Sequence, residues 1–355
     1  MRLNKEVSMR GENPFTLTFG QKPTEFISRT DQIGKIIQTF DMEIPSSKVY
    51  MIAGVRGSGK TVSLAEISEH YESKDDWVVL NLSADVDIIA GAVSEINRTS
   101  GLQNLNLELN VNFEIAGIAV NQNKETLEKE AMLRSILEKL KEKGKKVLFI
   151  IDEIVNNEYV KLFASSFQIY ITKNYPVYLV MAGLYDNISN LQNEKSLTFL
   201  YRAPKIFLEP LSIPAMTTSY RTVFQILAEE AVAMARLTKG YPFAFQILRY
   251  LKWEMNTELE NLLPKFDEEL TIYAYEKIWS ELSELDRKIV YVISLGLYKT
   301  CDIRERLSIS PQLLNLYRKR LMERGVVDGS KRGELTLALP RFEEYIGMYC
   351  EVTID

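Results

Sequence analysis

Residues Gly54-Val55-Arg56-Gly57-Ser58-Gly59-Lys60-Thr61 have the types and spacing that suit one chemistry, the binding of a phosphate chain. They satisfy the pattern G-x-x-x-x-G-K-[ST]. Glycines let main-chain N–H groups approach an anion closely, and a helix that follows adds the partial positive charge of its N-terminus. Lys60 would reach the β- and γ-phosphates of ATP, and Gly54 through Val62 would line the phosphates. The Thr61 hydroxyl would ligate Mg2+. A second reactive pair, Asp152-Glu153, follows roughly 90 residues later. Asp152 would accept a hydrogen bond from a Mg2+-bound water. Glu153 would orient and deprotonate an attacking water. Taken singly, the first stretch could be a chance glycine turn and the second a surface Asp-Glu at a helix start. Their order and spacing argue for a shared role.

The elements that must carry these residues are legible around them. Lys48-Val49-Tyr50-Met51-Ile52-Ala53 reads as a buried strand, and Thr61–Ile67 has helical apolar spacing. Trp77–Leu82 reads as a second strand, Lys146–Ile151 as a third and Tyr175–Gly183 as a fourth, with helical stretches between them. Arg202–Leu211 reads as the last core strand. Alternation of this kind predicts a parallel, doubly wound α/β sheet, whose ligands sit beyond the carboxyl ends of the strands. Leu105, Leu107, Leu109, Val111, Phe113 and Ile115 alternate with polar residues, so the stretch of about 101–123 reads as an inserted strand or hairpin over one side of the core. Aromatic residues in the N-terminal segment, among them Phe15 and Phe26, could wall an adenine or simply pack an arm on the core.

Composition removes other chemistries. The chain has 355 residues, 46% hydrophobic and 26% charged, with one histidine, two cysteines and a formal net charge of −5. That length predicts two or three domains. A single histidine, His70, excludes multi-histidine metal sites, and its place in the helix after the glycine loop makes it a solvated helix residue. Cys301 and Cys350 lie far apart, which argues against a disulfide framework or a zinc site. Absence of a long apolar run and of an apolar N-terminal core predicts a cytoplasmic protein with no membrane partner.

Beyond Pro210 and Pro214, residues 212–280 read as helices interrupted at Thr238-Lys239-Gly240-Tyr241-Pro242. Residues 281–355 read as short helices followed by a hairpin, the pattern of a winged helix-turn-helix. The expected organisation is therefore a nucleotide-binding core at 1–211, a helical lid at 212–280 and a winged helix at 281–355. Arg318, Lys319, Arg320, Lys331 and Arg332 form a local basic patch that could meet double-stranded DNA, although 281–355 carries twelve charges of each sign. The alternative is a solvated helix face on a domain that binds protein or caps the core.

These motifs together resemble the AAA+/STAND branch of P-loop ATPases, and more narrowly the prokaryotic Walker-type ATPases related to the origin-recognition ATPases of archaea. Asn13-Pro14-Phe15 with Phe26-Ile27-Ser28-Arg29, Arg202 through Leu211, and Gly240-Tyr241-Pro242 with Phe245-Gln246 carry the rest of the resemblance. The resemblance implies that Arg202 senses the γ-phosphate, in the same subunit or in a neighbour of a nucleotide-dependent homo-oligomer, and that Pro242 contacts adenine. Two departures stand out. Ser28 replaces the glycine of F-x-G-R, and Met181-Ala182-Gly183 lacks the polar residue that many relatives use to position water. The expected protein is a slow, Mg2+-dependent ATPase that binds ATP and ADP and switches its winged helix between states. A DNA-binding initiator-like module with structural nucleotide is the alternative. A small-molecule kinase suits neither the size of the lid nor a terminal winged helix.

Overall fold

Apolar strands that are buried on both faces need helices on both sides, and the sheet here is built that way. The structure, a computed structural model, describes residues 12–18, 25–98 and 122–354. The expected hairpin of 101–123 lies outside the described residues up to 121. The chain divides into two units: Arg29–Ala53 with Ser63–Phe207, and Met1–Ser28 with Gly54–Val62 and Leu208–Asp355.

The sheet unit holds five parallel strands. They are β1 (Val49–Ala53), β2 (Trp77–Ser83), β3 (Lys146–Asp152), β4 (Val177–Gly183) and β5 (Lys205–Phe207), in the order β2-β3-β4-β1-β5. Every residue of β1 and β4 is buried, as the continuous apolar runs require. Alternation splits the faces of β1. Val49, Met51 and Ala53 join the cluster made with α3 (Ile88–Arg98), α4 (Gln122–Glu142), α5 (Glu158–Thr172) and α6 (Tyr185–Gln192). Tyr50 faces the other way, its hydroxyl 3.0 Å from Thr39 Oγ1 and its ring against Phe40 of α1 (Thr30–Asp41). The segment expected as a strand over Arg202–Leu211 forms only the three residues of β5. Arg202 instead caps a short helix, α7 (Thr198–Tyr201). Pro204 and Pro210 flank the strand and cannot donate to a ladder, which limits its length.

The helical unit runs from α8 (Ile213–Phe224) and α9 (Ala228–Leu237) to α10 (Pro242–Met255) and α11 (Leu259–Leu270). A π-helical turn, Thr271–Tyr275, continues α11 into α12 (Glu276–Ser280). A winged helix follows: α13 (Glu284–Ser294), α14 (Thr300–Leu307), α15 (Pro311–Glu323), the hairpin β6 (Val327–Asp328) with β7 (Thr336–Leu337), and α16 (Phe342–Tyr349). Ser308 turns the chain in the left-handed region, and Ser310 caps α15 by accepting the Leu313 N–H, with Pro311 at the first helical position. One apolar cluster spans the whole unit, from Phe15 and Met216 through Phe266 and Tyr275 to Ile289, Leu321 and Phe342. The stretches 212–280 and 281–355 therefore share a core. Phe15 packs between Phe224, Trp253 and the Arg249 guanidinium, 4.0 Å from its ring centroid, so it serves packing here. Among the described residues no helix is long and apolar enough to cross a membrane.

Asp286 is the electrostatic centre of the winged helix. Its carboxylate is fully buried and accepts from Ser283 Oγ (2.7 Å), from Arg320 (2.6 Å) and from Arg324 (3.3 Å). Removing it takes the buried carboxylate from two partly buried guanidinium groups. Asp286→Ala is expected to lower the unfolding free energy of the full chain by about 3 kcal/mol, measured by urea denaturation.

Candidate nucleotide site

Gly54 follows β1 directly, and the loop to Gly59 leads into α2 (Lys60–Glu72). Gly57 and Gly59 have φ of +70° and +87°, which L side chains rarely adopt. At Gly54 a side chain would collide with the Ser58 hydroxyl. Lys60, at the helix start, donates from Nζ to the carbonyls of Gly54 (3.1 Å) and Val55 (3.0 Å). The first turn of α2 carries no acidic residue, so nothing there offsets the helix dipole. Thr61 and Val62 lie in that turn, half-buried. The arrangement suits an anion whose oxygens would draw Lys60 away from the two carbonyls.

The helical unit supplies a second layer around the loop. Gly240, at φ +78°, turns the chain against Pro210, and its carbonyl accepts the Leu211 N–H at 2.8 Å. That turn delivers Tyr241-Pro242-Phe243 to the loop. Tyr241 donates its hydroxyl to the Arg56 carbonyl (2.5 Å), and the Phe243 N–H donates to the Gly57 carbonyl (3.2 Å). Burial pushes the Tyr241 phenol up, so it keeps its proton and remains a donor through the neutral range. A side chain at Gly57 would meet Phe243 Cβ at 2.7 Å, as well as the Tyr241 hydroxyl. Pro242 thus lies beside the phosphate loop, between two residues that bond it. Arg56 also pairs with Glu281, from Nη2 at 2.9 Å and Nε at 3.2 Å. Tyr241 stood in the motif Gly240-Tyr241-Pro242 but was given no role from sequence; Phe243 and Glu281 were not singled out, and no motif spacing marks those two.

In the sheet unit, Asp152 ends β3 and pairs in register with Ser83 of β2. Glu153 follows with φ +49°, a left-handed conformation that costs a non-glycine residue roughly 1 kcal/mol or more. Its N–H donates to Asp152 Oδ1 at 2.8 Å, which orients that carboxylate, and its own side chain is exposed. Ile154 then donates its N–H to the Ala182 carbonyl of β4 (2.8 Å). A side chain at Gly183 would meet Ile154 Cγ2 at 2.6 Å. Packing against Ile154 therefore leaves no room for a side chain at the end of β4. Arg202 is exposed and enters β5 from its amino end, whereas Asp152 and Glu153 lie at the carboxyl end of β3. The parallel sheet does not bring Arg202 together with the two acids.

Of the five cations expected to meet DNA, two are used internally. Arg318 donates to the Gly329 carbonyl (2.8 Å), and Arg320 is paired with Asp286. Lys319, Lys331 and Arg332 are exposed, with Lys331 2.8 Å from Glu334.

Two substitutions probe the clamp on the loop. Tyr241→Phe leaves the Arg56 carbonyl without its donor and is expected to cost about 1 kcal/mol in urea unfolding. Gly57→Ala meets both steric contacts and the left-handed backbone, and is expected to cost more, about 2 kcal/mol or above.

Residues 273–346 match the family model "Domain of unknown function (DUF8462)". No curated protein is similar to this chain at the sequence level. Among solved structures, the chain is similar to the Walker-type ATPase PABY2304 of Pyrococcus abyssi. Identity is 16%, coverage is 91% of this chain and 96% of that one, and the TM-score is 0.61. It is also similar to the Aeropyrum pernix ORC2 protein in its ADPNP–ADP complexes, at 16% identity, with 89% and 90% covered and a TM-score of 0.53. Sheet order, glycine loop and coverage agree: the chain has the AAA+ P-loop fold seen in these archaeal ATPases.

Proposed function

We propose that the protein binds ATP and ADP and hydrolyses ATP slowly, using Mg2+, as a conformational switch of its helical unit. The observation that carries this is the loop itself. Two glycines hold left-handed backbone, and Lys60 sits over the loop on two carbonyls, with no acid in the first turn of the helix behind it. The solved structure of A. pernix ORC2 in ADPNP–ADP complexes supports nucleotide as the ligand of this fold.

In this reading Gly54, Val55, Arg56, Gly57, Ser58, Gly59 and Val62 cradle the phosphates, and Lys60 moves from the Gly54 and Val55 carbonyls to the β- and γ-phosphates. The Thr61 hydroxyl and the Asp152 carboxylate are hard oxygen donors of the kind that Mg2+ takes, and those two residues would hold it. Bound Mg2+ would supply charge neutralisation at the phosphates. Glu153 accepts the proton of the attacking water, and ADP and phosphate leave. Pro242 contacts adenine. Arg202 acts on the nucleotide of a neighbouring copy, which its exposure and its place at the amino end of β5 favour over a role in its own subunit. Slow turnover follows from β4, which ends in Gly183 with no polar side chain to hold the water.

The shared core of the helical unit supports a lid and winged helix that move together. Exposed Lys319, Lys331 and Arg332 support a second reading, contact with duplex DNA phosphates. Its test is Lys319, Lys331 and Arg332→Glu together, because replacing Arg318 or Arg320 would report on folding.

Lys60→Ala is expected to weaken nucleotide binding at least tenfold, roughly the value of a hydrogen bond to a charged group. Glu153→Gln should retain binding and lose roughly a hundredfold or more in turnover. Titration with a fluorescent nucleotide measures the binding of each variant, and steady-state ATP hydrolysis, with and without duplex DNA, measures turnover. Equal turnover in wild type and Glu153→Gln would remove the catalytic role of Glu153, and stimulation by DNA would join the two readings.

A further inference from the structure

The Arg56 side chain of the loop makes an ion pair with Glu281. Its guanidinium reaches Glu281 Oε1 through two nitrogens, at 2.9 and 3.2 Å. Glu281 lies just beyond α12, where the chain enters the winged helix. A Cβ at Gly325, the turn that follows α15, would be in van der Waals contact with Val55 Cβ at 3.5 Å. Arg56 is thus paired at the entry to the winged helix, Val55 packs against the apolar cluster that includes Leu321 and Val326, and the carbonyls of Arg56 and Gly57 are held by Tyr241 and Phe243. Glu281 is anchored in turn. Its N–H closes the helix onto the Lys277 carbonyl, and Arg324, which is tied to the buried Asp286, approaches its carbonyl at 3.5 Å.

We infer that Glu281, at the entry to the winged helix, is a positioning residue for the phosphate loop, acting through Arg56, so that nucleotide affinity depends on the winged helix being seated on the loop. The inference rests on the proposed nucleotide binding. It goes beyond that reading by making the C-terminal domain part of the loop's support, where the proposed switch gives it a role only as the part that is moved. Reciprocity then requires that anything which lifts the winged helix from Val55 and Arg56 weakens nucleotide binding, and that nucleotide opposes the lifting by the same factor.

Both side chains of the pair are about one-third exposed, so its effect on an equilibrium is modest, roughly two- to fivefold. Sign makes so small an effect decisive. Glu281 is an acid near a proposed anion site, and removing its charge should by Coulomb's law tighten nucleotide binding. Loss of positioning weakens it.

The experiment titrates the full chain with a fluorescent ADP analogue and Mg2+, comparing wild type with Glu281→Gln, Glu281→Asp, Arg56→Gln and the Glu281→Gln/Arg56→Gln double variant. Urea midpoints are measured in parallel. Expected results are a dissociation constant raised about threefold in Glu281→Gln and also in Glu281→Asp, which keeps the charge but shortens the reach. In the Arg56→Gln background, Glu281→Gln should no longer weaken binding. The difference between wild type and Glu281→Gln should shrink at high salt. Tighter or unchanged binding in Glu281→Gln, with or without a lower urea midpoint, would overturn the inference and leave an ordinary surface ion pair. Equal weakening by Glu281→Gln in both backgrounds would also overturn it. Failure of the wild type itself to bind nucleotide would instead end the nucleotide reading, a result separate from these.

Discussion

A loop that turns its N–H groups toward an anion leaves its carbonyls facing the protein, and those carbonyls need donors. Four consecutive carbonyls of this loop have them. Lys60 serves Gly54 and Val55 from within the motif, Tyr241 serves Arg56, and Phe243 serves Gly57. The lysine's two bonds are the exchangeable pair, because an ammonium group is drawn more strongly to phosphate oxygens than to neutral carbonyls. The other two are fixed by the fold. Gly57 must be glycine for its backbone angle and also for the aromatic turn that lies against it.

This constraint explains much of the helical unit. Tyr241 can reach Arg56 only because Gly240 and Lys239, both in the left-handed region, turn the chain tightly before α10. That turn is held in place by the Leu211–Gly240 hydrogen bond and by Lys239, which donates to the Leu337 and Leu339 carbonyls beside the wing. Farther out, the buried hydroxyl of Tyr275 donates to the Pro340 carbonyl, Arg341 pairs with Asp267, and Tyr275 packs on Phe342. Each contact joins the helices of 212–280 to those of 281–355. A winged helix attached in this way cannot swing independently without exposing aromatic core and unpairing charges.

Charged groups show the same economy. Arg249 is almost fully buried, yet its guanidinium lies over Phe15, and it is paired with Glu25 and hydrogen-bonded to that residue's carbonyl. Burial lowers its proton affinity while Glu25 opposes that effect, and an arginine keeps its charge in either case. The described part of the N-terminal arm is thereby fastened to α10. Asp286 does comparable work in the winged helix, where it takes up Arg320 and Arg324 and leaves fewer cations free for a nucleic acid.

Sequence by itself determined what depends on neighbours along the chain. Strand, glycine loop and helix around Gly54–Thr61, the apolar run ending in Asp152-Glu153, and the helix-turn-helix with Pro311 all rest on local periodicity, backbone freedom and capping. Tertiary structure alone decided the rest. Tyr241 lies 185 residues from Arg56, and Glu281 lies 225 from it, so no local pattern pairs them. Arg318 and Arg320 read as a basic patch because their partners, Gly329 and Asp286, come from other turns of the chain. Arg202 read as the start of a strand, but prolines confined β5 to three residues and left it capping a helix. Met181-Ala182-Gly183 read as a strand end without a polar residue, and only the approach of Ile154 shows why a side chain is excluded at Gly183. Local physics sets which elements form, whereas which side chains remain available for chemistry depends on contacts that exist only once the chain is folded.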